Sequence, residues 1–569
     1  MTGAALFLLS YAGWFLFLAG ATPWPSAALP LFITSFTTAV LYAFSLAGFL
    51  LPGAYIMAGL GFALGLAGLF YARKQPKTYF AKLLEPGPAI FFLLAILLWL
   101  LLSGTHYASW DEFSHWGFIA KEMALRNALP PLESALRFKD YPPATALFQY
   151  YVVFFTGWSE GATAFAQAFL LLSAATALLH GSSWKQGLRL AAIISLAYLL
   201  LVVFNYKPQS LYVDHVLGFL FGAAIASCLL SDSGDYRTLL RLLPTLLILP
   251  IVKAAGLLLA LIAAAVIASD HLIRRSAENR QGTGKLLASL VLAAIFLLSP
   301  LLPAKSWSLR VKRSGLAETF ETSIAPADIK NSFSSAATER DRTIILNFTK
   351  ALAGKQAGRS LPPVFLVLIL ALAAFAAAKK EKRGTEKLRV RVAFLWLFAG
   401  FCVYATGLLA LYLYSFSSYE GPRLASFGRY MGVYFIGWSF VTAAFFLRLP
   451  RPFGARLEPS DKTSGTLAPL SAPKGRGGFS KYAKLLVILG AAAALASALI
   501  KKDNPEKVSL HKEIREKAAY ALSVTPADSR IYVVWQGSDG FEPQVMAYEL
   551  APRVTSTRGG SWSLGKPYY

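Results

Sequence analysis

The stretch that decides the reading of this chain is Tyr107–Arg126, Y-A-S-W-D-E-F-S-H-W-G-F-I-A-K-E-M-A-L-R, followed after two prolines by Phe138–Pro143, F-K-D-Y-P-P. It is the first polar segment after a long apolar opening. Trp110, Asp111, Glu112, His115 and Trp116 fall within seven positions, and Asp140 and Tyr141 close the segment just before the chain turns apolar again. Outward from it in both directions lie runs long enough to cross a hydrocarbon core of about 30 Å as helix. Before it they fall at 3–20, 28–50, 54–71 and 87–103.

Composition agrees with a bilayer as the solvent. The 569 residues are 56% hydrophobic and 14% aromatic, with a mean hydropathy of +0.51. The net charge of +25 would suggest nucleic acid in a soluble protein. Here the basic residues gather in short loops between apolar runs, which is the positive-inside pattern, and no nucleic-acid partner is expected. Cys228 and Cys402 sit in apolar runs and form no metal-type spacing. The run Ala4–Ala21 has no basic region before it and reads as a retained span, not a cleaved signal.

Arg73, Lys74, Lys77 and Lys82 place the linker after the third run in the cytoplasm, so the fourth delivers Tyr107–Pro143 to the outer face. Gly61, Gly65 and Gly68 mark a close-packed face on the third run. Ala144–Thr156 is short and reads as a half-buried interfacial helix before the span from Gly161 to Leu179. Spans at 190–204 and 211–230 meet near Asn205–Ser210, which puts Tyr212, Asp214 and His215 on the loop's side of the membrane. Runs 242–252 and 254–269 suggest a short hairpin with Lys253 at its outer tip. Further spans are expected at 286–302, 362–378, 392–414, 430–447 and 485–500, with outer loops at 104–160, 303–361 and 415–429. The Pro/Gly/Ser-rich segment 451–484 reads as a basic cytoplasmic linker, and 501–569, with its R-I-Y-V-V-W-Q run, as a small external α/β module. The fold class is thus an all-α polytopic membrane protein of about 13–14 spans with that module appended.

Two readings compete at each candidate residue. Ser109 and Glu112 fit a capping box, which leaves Asp111 in the first turn of a helix whose dipole favours an anion. That helix has an apolar face through Phe113, Trp116, Ala120 and Met123, with Lys121, Glu122 and Arg126 off it, so it is expected on the membrane surface. A carboxylate there, Asp111, is the candidate general base toward a hydroxyl. Trp110, Trp116 and Tyr107 either stack on a sugar or are ordinary interfacial aromatics. Asp111, Asp214 and His215 are candidate ligands for Mg²⁺ or Mn²⁺, although no spacing is diagnostic. Lys253 either snorkels or, with Arg423 and Arg429, holds a phosphate. No phosphate-binding loop is visible: Gly282-Thr283-Gly284-Lys285-Leu286 lacks the hydroxyl residue.

The Asp-Glu pair in the first large outer loop, with Y-P-P at Tyr141–Pro143, G-W-S-E at Gly157–Glu160, Y-V-D at Tyr212–Asp214, K-A-A-G at Lys253–Gly256 and G-R-Y at Gly428–Tyr430, resembles the GT-C-fold membrane glycosyltransferases. These include protein O-mannosyl-, aminoarabinose and arabinofuranosyl transferases. The resemblance covers roughly residues 87–450 and leaves 1–86 as an added transmembrane scaffold. It implies inverting transfer from a polyprenyl-phosphate sugar to a glycan, protein or lipid acceptor on the periplasmic face of a bacterial inner membrane. In it Asp111 is the base, Glu112 and Asp214 orient acceptor or donor, with His115, Trp110, Trp116, Asp140, Tyr141 and His215 around the substrates, and Lys253 or Arg429 meets the phosphate. The K-A-A-G run departs from the commonest pattern, which has an acid before the glycine. A lipid-linked oligosaccharide polymerase or ligase shares this logic. A transporter is the other class, but its expected mid-membrane charges and paired repeats are not visible.

Overall fold

The computed structural model describes residues 2–74, 76–231, 235–277, 283–316, 326–447 and 505–557, apart from 536 and 539, together with residue 498. Among these, nine helices are long and apolar enough to cross a membrane, from Thr2–Ala21 to Phe427–Leu447. The shorter apolar helices Pro86–Leu102, Gly187–Val203 and Asp214–Leu230 fall where the sequence predicts further spans. The chain is therefore a polytopic helical protein. The linker at 451–484 and the expected span at 485–500 lie outside the described residues.

Small residues set the closest packing. A Cβ on Gly13 would lie 1.9 Å from the Gly61 carbonyl oxygen, and the Ser10 hydroxyl donates to the Ala58 carbonyl at 3.1 Å. The predicted glycine face of Leu50–Lys74 thus meets Thr2–Ala21 with backbones in contact, as expected where dispersion rather than the hydrophobic effect drives helix pairing. At the centre stands Asp214–Leu230, buried along its whole length. It packs on Phe427–Leu447, where Gly222 and Gly437 permit close approach. A helix with no free face has little freedom to shift, so its first residue, Asp214, is held in place.

Several expectations change. The proposed short hairpin is two longer helices, Tyr236–Val252 and Gly256–Ala277. The first carries Pro244 and Pro250 within it. Lys253 sits between the two in extended backbone (φ −161°, ψ 151°). The expected outer loop 303–361 holds the helices Leu301–Arg313, Pro326–Ser332 and Glu339–Gly354. Ala144–Thr156 is buried from Ala144 to Val153, not half-buried. Both its ends nevertheless meet the loop side. Tyr141, just before it, packs on His115 and Trp116, and Gly161, just after it, lies against the Leu102 and Ser103 carbonyls.

The tail contributes the helices Pro505–Val524 and Phe541–Leu550 and two parallel three-residue strands, Ile531–Val533 and Thr555–Thr557. Ala518, Val533 and Leu550 form a small cluster of their own. Ile514, Val545, Ala547 and Tyr548 instead join the main core, so the tail's apolar face is largely spent on the rest of the chain.

Candidate functional site

Two carboxylates and two cations from four separate segments meet at the ends of the central helices. Lys253 Nζ lies 2.7 Å from Asp214 Oδ1. Arg429, in the first turn of Phe427–Leu447, places Nε 3.6 Å from Asp214 Oδ2 and Nη1 3.9 Å from Asp111 Oδ2. The guanidinium stacks over Tyr212 at 4.6 Å and Tyr430 at 5.3 Å, while Lys253 lies over Tyr430 at 4.8 Å. Arg429 Nε is buried and makes no hydrogen bond, so the guanidinium stands off both acids with donor capacity to spare. The Tyr212 hydroxyl hydrogen-bonds to Asp111, and burial followed by the Asp111 charge pushes this phenol up.

Burial separates the two acids. Asp214 is 3% exposed and held by both cations, a structural ion pair whose disruption would strand charge. The Asp111 side chain is 26% exposed and only loosely held. Gly256 explains the K-A-A-G run, because a Cβ there would lie 1.9 Å from the Leu249 carbonyl oxygen. Only glycine lets the chain fold back tightly enough to present Lys253 to Asp214.

Glu112 behaves as the capping reading has it. Its Oε2 accepts from the Ala108 and Ser109 backbone N–H groups at 3.0 and 2.9 Å. Burial pushes the carboxyl up against those bonds. The segment is not one surface helix, however: Glu112–Trp116 is a π turn and Phe118–Arg126 a separate α-helix. His115 and Trp116 are turned inward, with Phe138 and Tyr141, around a cleft of only about 10 Å³. His115 Nδ1 is 2.7 Å from the Ser114 hydroxyl. Burial, then the charges of Lys253 and Arg429, holds its imidazole down at about 3, so it is neutral at physiological pH. Trp110 remains half-exposed, with Arg137 over its ring. The Asp140 carbonyl accepts the Trp307 indole N–H at 2.7 Å. His215 faces away from Asp111: its Nε2 is 2.7 Å from the Phe204 carbonyl and its ring packs on Tyr206. Arg423 stacks on Tyr419 at 3.6 Å and stands outside the ion cluster.

Of the candidate metal ligands, Asp214 is paired with Lys253 and Arg429, and His215 spends its Nε2 on a backbone carbonyl while its buried Nδ1 makes no hydrogen bond. A different group, Glu160, His511 and Glu549, brings ligand atoms within 4.8 Å of one another. Arg515 lies 3.1 Å from Glu549 and 3.3 Å from Glu160, and Lys121 lies 3.1 Å from Glu549, so fixed cations already occupy that position.

That group is a clamp between tail and loop, which sequence reasoning missed. Lys121 also donates to the Tyr548 carbonyl at 2.9 Å, Gln544 to the Phe113 carbonyl at 3.2 Å, and the Tyr548 hydroxyl to Glu160 at 3.1 Å. Burial would raise the Glu549 carboxyl, but the His511 hydrogen bond and the Lys121 and Arg515 charges hold it at about 2. Lys121 and Glu122, expected at the surface, are 8% and 1% exposed; the tail's Tyr548 and Glu549 cover the lysine, and Glu122 pairs with Arg126. The i,i+4 pair His511 and Arg515 on one tail helix was the available signal, but its partner Glu549 is 34 residues further on.

Below the cluster, Pro86–Leu102, Glu160–Thr176 and Gly187–Val203 enclose an apolar cleft of about 130 Å³, lined by Leu94, Leu171, Ile194 and, at the end nearest His215, Tyr206. No family model, curated protein or solved structure matches this chain.

Proposed function

We propose that this protein is an inverting glycosyltransferase of GT-C-like architecture, with about 13–14 spans and a small external C-terminal module. It moves a sugar, arabinofuranose or another pentose or hexose, from a polyprenyl-phosphate donor to a glycan, protein or lipid acceptor at the outer face of a bacterial inner membrane. The observation that carries this reading is the convergence of Lys253 and Arg429, with a spare guanidinium donor, beside a partly exposed carboxylate that is not locked by either.

The chemistry divides between the two acids. Asp214 keeps Lys253 and Arg429 in place, and these two receive the donor phosphate, lysine as a point charge and arginine through its fork. Asp111 takes the proton of the acceptor hydroxyl as that oxygen bonds to the anomeric carbon. The bond from that carbon to the phosphate oxygen breaks with its electron pair, polyprenyl phosphate leaves against the two cations, and the configuration inverts. The four groups are electrically balanced before substrate arrives. An incoming phosphate competes with Asp111 for Arg429, and that 3.9 Å contact is the longest ion pair in the cluster. Donor binding thus frees the base. The apolar cleft ending at Tyr206 supports the lipid-linked donor, since a prenyl chain needs an apolar path that begins at the phosphate.

The test is release of polyprenyl phosphate by the purified protein from a panel of lipid-phosphate sugars, each with candidate acceptors. One donor is consumed by the wild type; Asp111→Asn lowers turnover by about 10²–10⁴-fold and leaves donor binding intact; loss of turnover on chelation assigns a divalent cation to the site, and unchanged turnover excludes one. Full activity of Asp111→Asn refutes the base assignment. Consumption of no donor refutes the transferase reading.

A further inference from the structure

A second cleft lies at the opposite end of the bundle. The chain passes the ion cluster where the Gly358 N–H donates to the Gly428 carbonyl at 3.0 Å, then enters Pro363–Lys380. Those 18 residues carry it about 27 Å along the helix axis, close to the thickness of a hydrocarbon core. There it turns through residues 381–383 into Gly384–Tyr414. Between these two helices is a cavity of about 510 Å³, walled by Ala371, Phe375 and Phe394 and edged by Lys379, Lys387 and Arg391. Its size is that of a small-molecule site.

The surroundings name the occupant. These helices are among the least covered in the bundle, exposing Leu368 by 55%, Leu372 by 59%, Phe375 by 70% and Leu395 by 61%. Such surface belongs against acyl chains. The segment Lys379–Arg391 carries seven basic residues and two acids, Glu381 and Glu386. Arg389 is committed inward, to Asp270 and Glu386. Lys380 lies over the Phe446 ring. Among the described residues, Lys379, Lys387 and Arg391 make no ion pair, so three cations edge an apolar cleft with no carboxylate bonded to them. Basic pockets of this kind between membrane helices select anionic headgroups.

We propose that this cleft binds one anionic glycerophospholipid of the leaflet opposite the Asp111–Arg429 cluster. Lys379, Lys387 and Arg391 hold its phosphate, and an acyl chain lies along Ala371, Phe375 and Phe394. The inference is independent of the glycosyl-transfer reading.

The test is native mass spectrometry of the full-length protein in detergent, titrated with phosphatidylglycerol or with phosphatidylcholine of the same chains. The wild type retains one phosphatidylglycerol about tenfold more tightly than phosphatidylcholine, a difference of about 1.4 kcal/mol. The triple variant Lys379→Gln, Lys387→Gln, Arg391→Gln loses this preference. Ala371→Phe, which fills the cleft and leaves every charge in place, weakens retention of both lipids. A control triple variant in another basic segment, Arg73→Gln, Lys74→Gln, Lys77→Gln, behaves as wild type. Equal retention of the two lipids by the wild type overturns the proposal. So does an equal loss in the control triple, or unchanged retention in Ala371→Phe, since either would mean diffuse charge attraction rather than a built cleft.

Discussion

Replacing Asp214 by asparagine removes one negative charge from between two cations and keeps the side chain's shape. At an effective dielectric constant of 20 a unit pair at the 2.7 Å separation of Lys253 and Asp214 attracts by about 6 kcal/mol. Arg429 at 3.6 Å adds about 5 kcal/mol on the same footing. Desolvation of a carboxylate that is 3% exposed consumes most of this, and the net loss on breaking a buried pair is roughly 3–5 kcal/mol. Asp214→Asn sits at the upper end of that range, because it leaves Lys253 and Arg429 facing each other with no acid between them. Lys253→Met costs less, about 1–3 kcal/mol, because Asp214 keeps Arg429. The double variant relieves the cation repulsion, so its loss falls short of the sum of the single losses by about 1–3 kcal/mol. Reversible unfolding by sodium dodecyl sulfate in mixed micelles, followed by tryptophan fluorescence, measures all three. Strict additivity, or a loss below about 1 kcal/mol for Asp214→Asn, would mean that Lys253 merely snorkels and that the cluster is not a unit.

Gly256→Ala pushes a Cβ into the Leu249 carbonyl and is expected to destabilise by about 1–3 kcal/mol through overpacking, read in the same unfolding assay, with donor binding weakened because Lys253 moves. Glu549, held at about 2, contributes its docking energy fully above its unfolded value of about 4.3 and loses it as pH falls through the folded value. Pepsin should therefore spare Phe541–Leu550 at pH ~4.5 and cut it at pH ~2.5, and Glu549→Gln should be cut at both. His115, neutral down to about 3, fails to take up a proton that the unfolded chain binds below about 6.5. Its burial thus erodes stability as pH drops through that window, and His115→Gln flattens the acid limb of a stability profile.

The helices were largely legible because apolar runs of the right length report directly on the bilayer. Asp214, Lys253 and Arg429 were legible as one-sided charges for the same reason: a charge at the end of an apolar run has nowhere to go but the interface. Burial around the loop was not legible. His115 and Trp116 look like substrate-facing groups when Tyr107–Pro143 is read alone, and Lys121 and Glu122 look like the solvated face of an amphipathic helix. What inverts the second is a tail more than 400 residues later in the chain, whose Tyr548 and Glu549 take the lysine, while His115 and Trp116 are enclosed by Phe138 and Tyr141 from the far end of the loop. Local periodicity carries no information about such a partner.

The same arrangement bears on how the cluster works. Asp111 enters the loop one residue before Glu112, whose carboxylate ties down the Ala108 and Ser109 N–H groups. Lys507 of the tail donates to the Ala108 carbonyl at 2.9 Å. The turn carrying the loosely held acid is thus fixed from within by Glu112 and from outside by the tail, while Asp214 is fixed by a central helix with no free face. A reaction that needs one carboxylate to change partners and the other to stay still has that division of labour in this backbone. Weakening the Lys507 contact by Lys507→Ala should lower turnover while leaving donor affinity, which the proposed function assigns to Lys253 and Arg429, unchanged. An equal fall in donor affinity would show instead that the tail holds the whole cluster together.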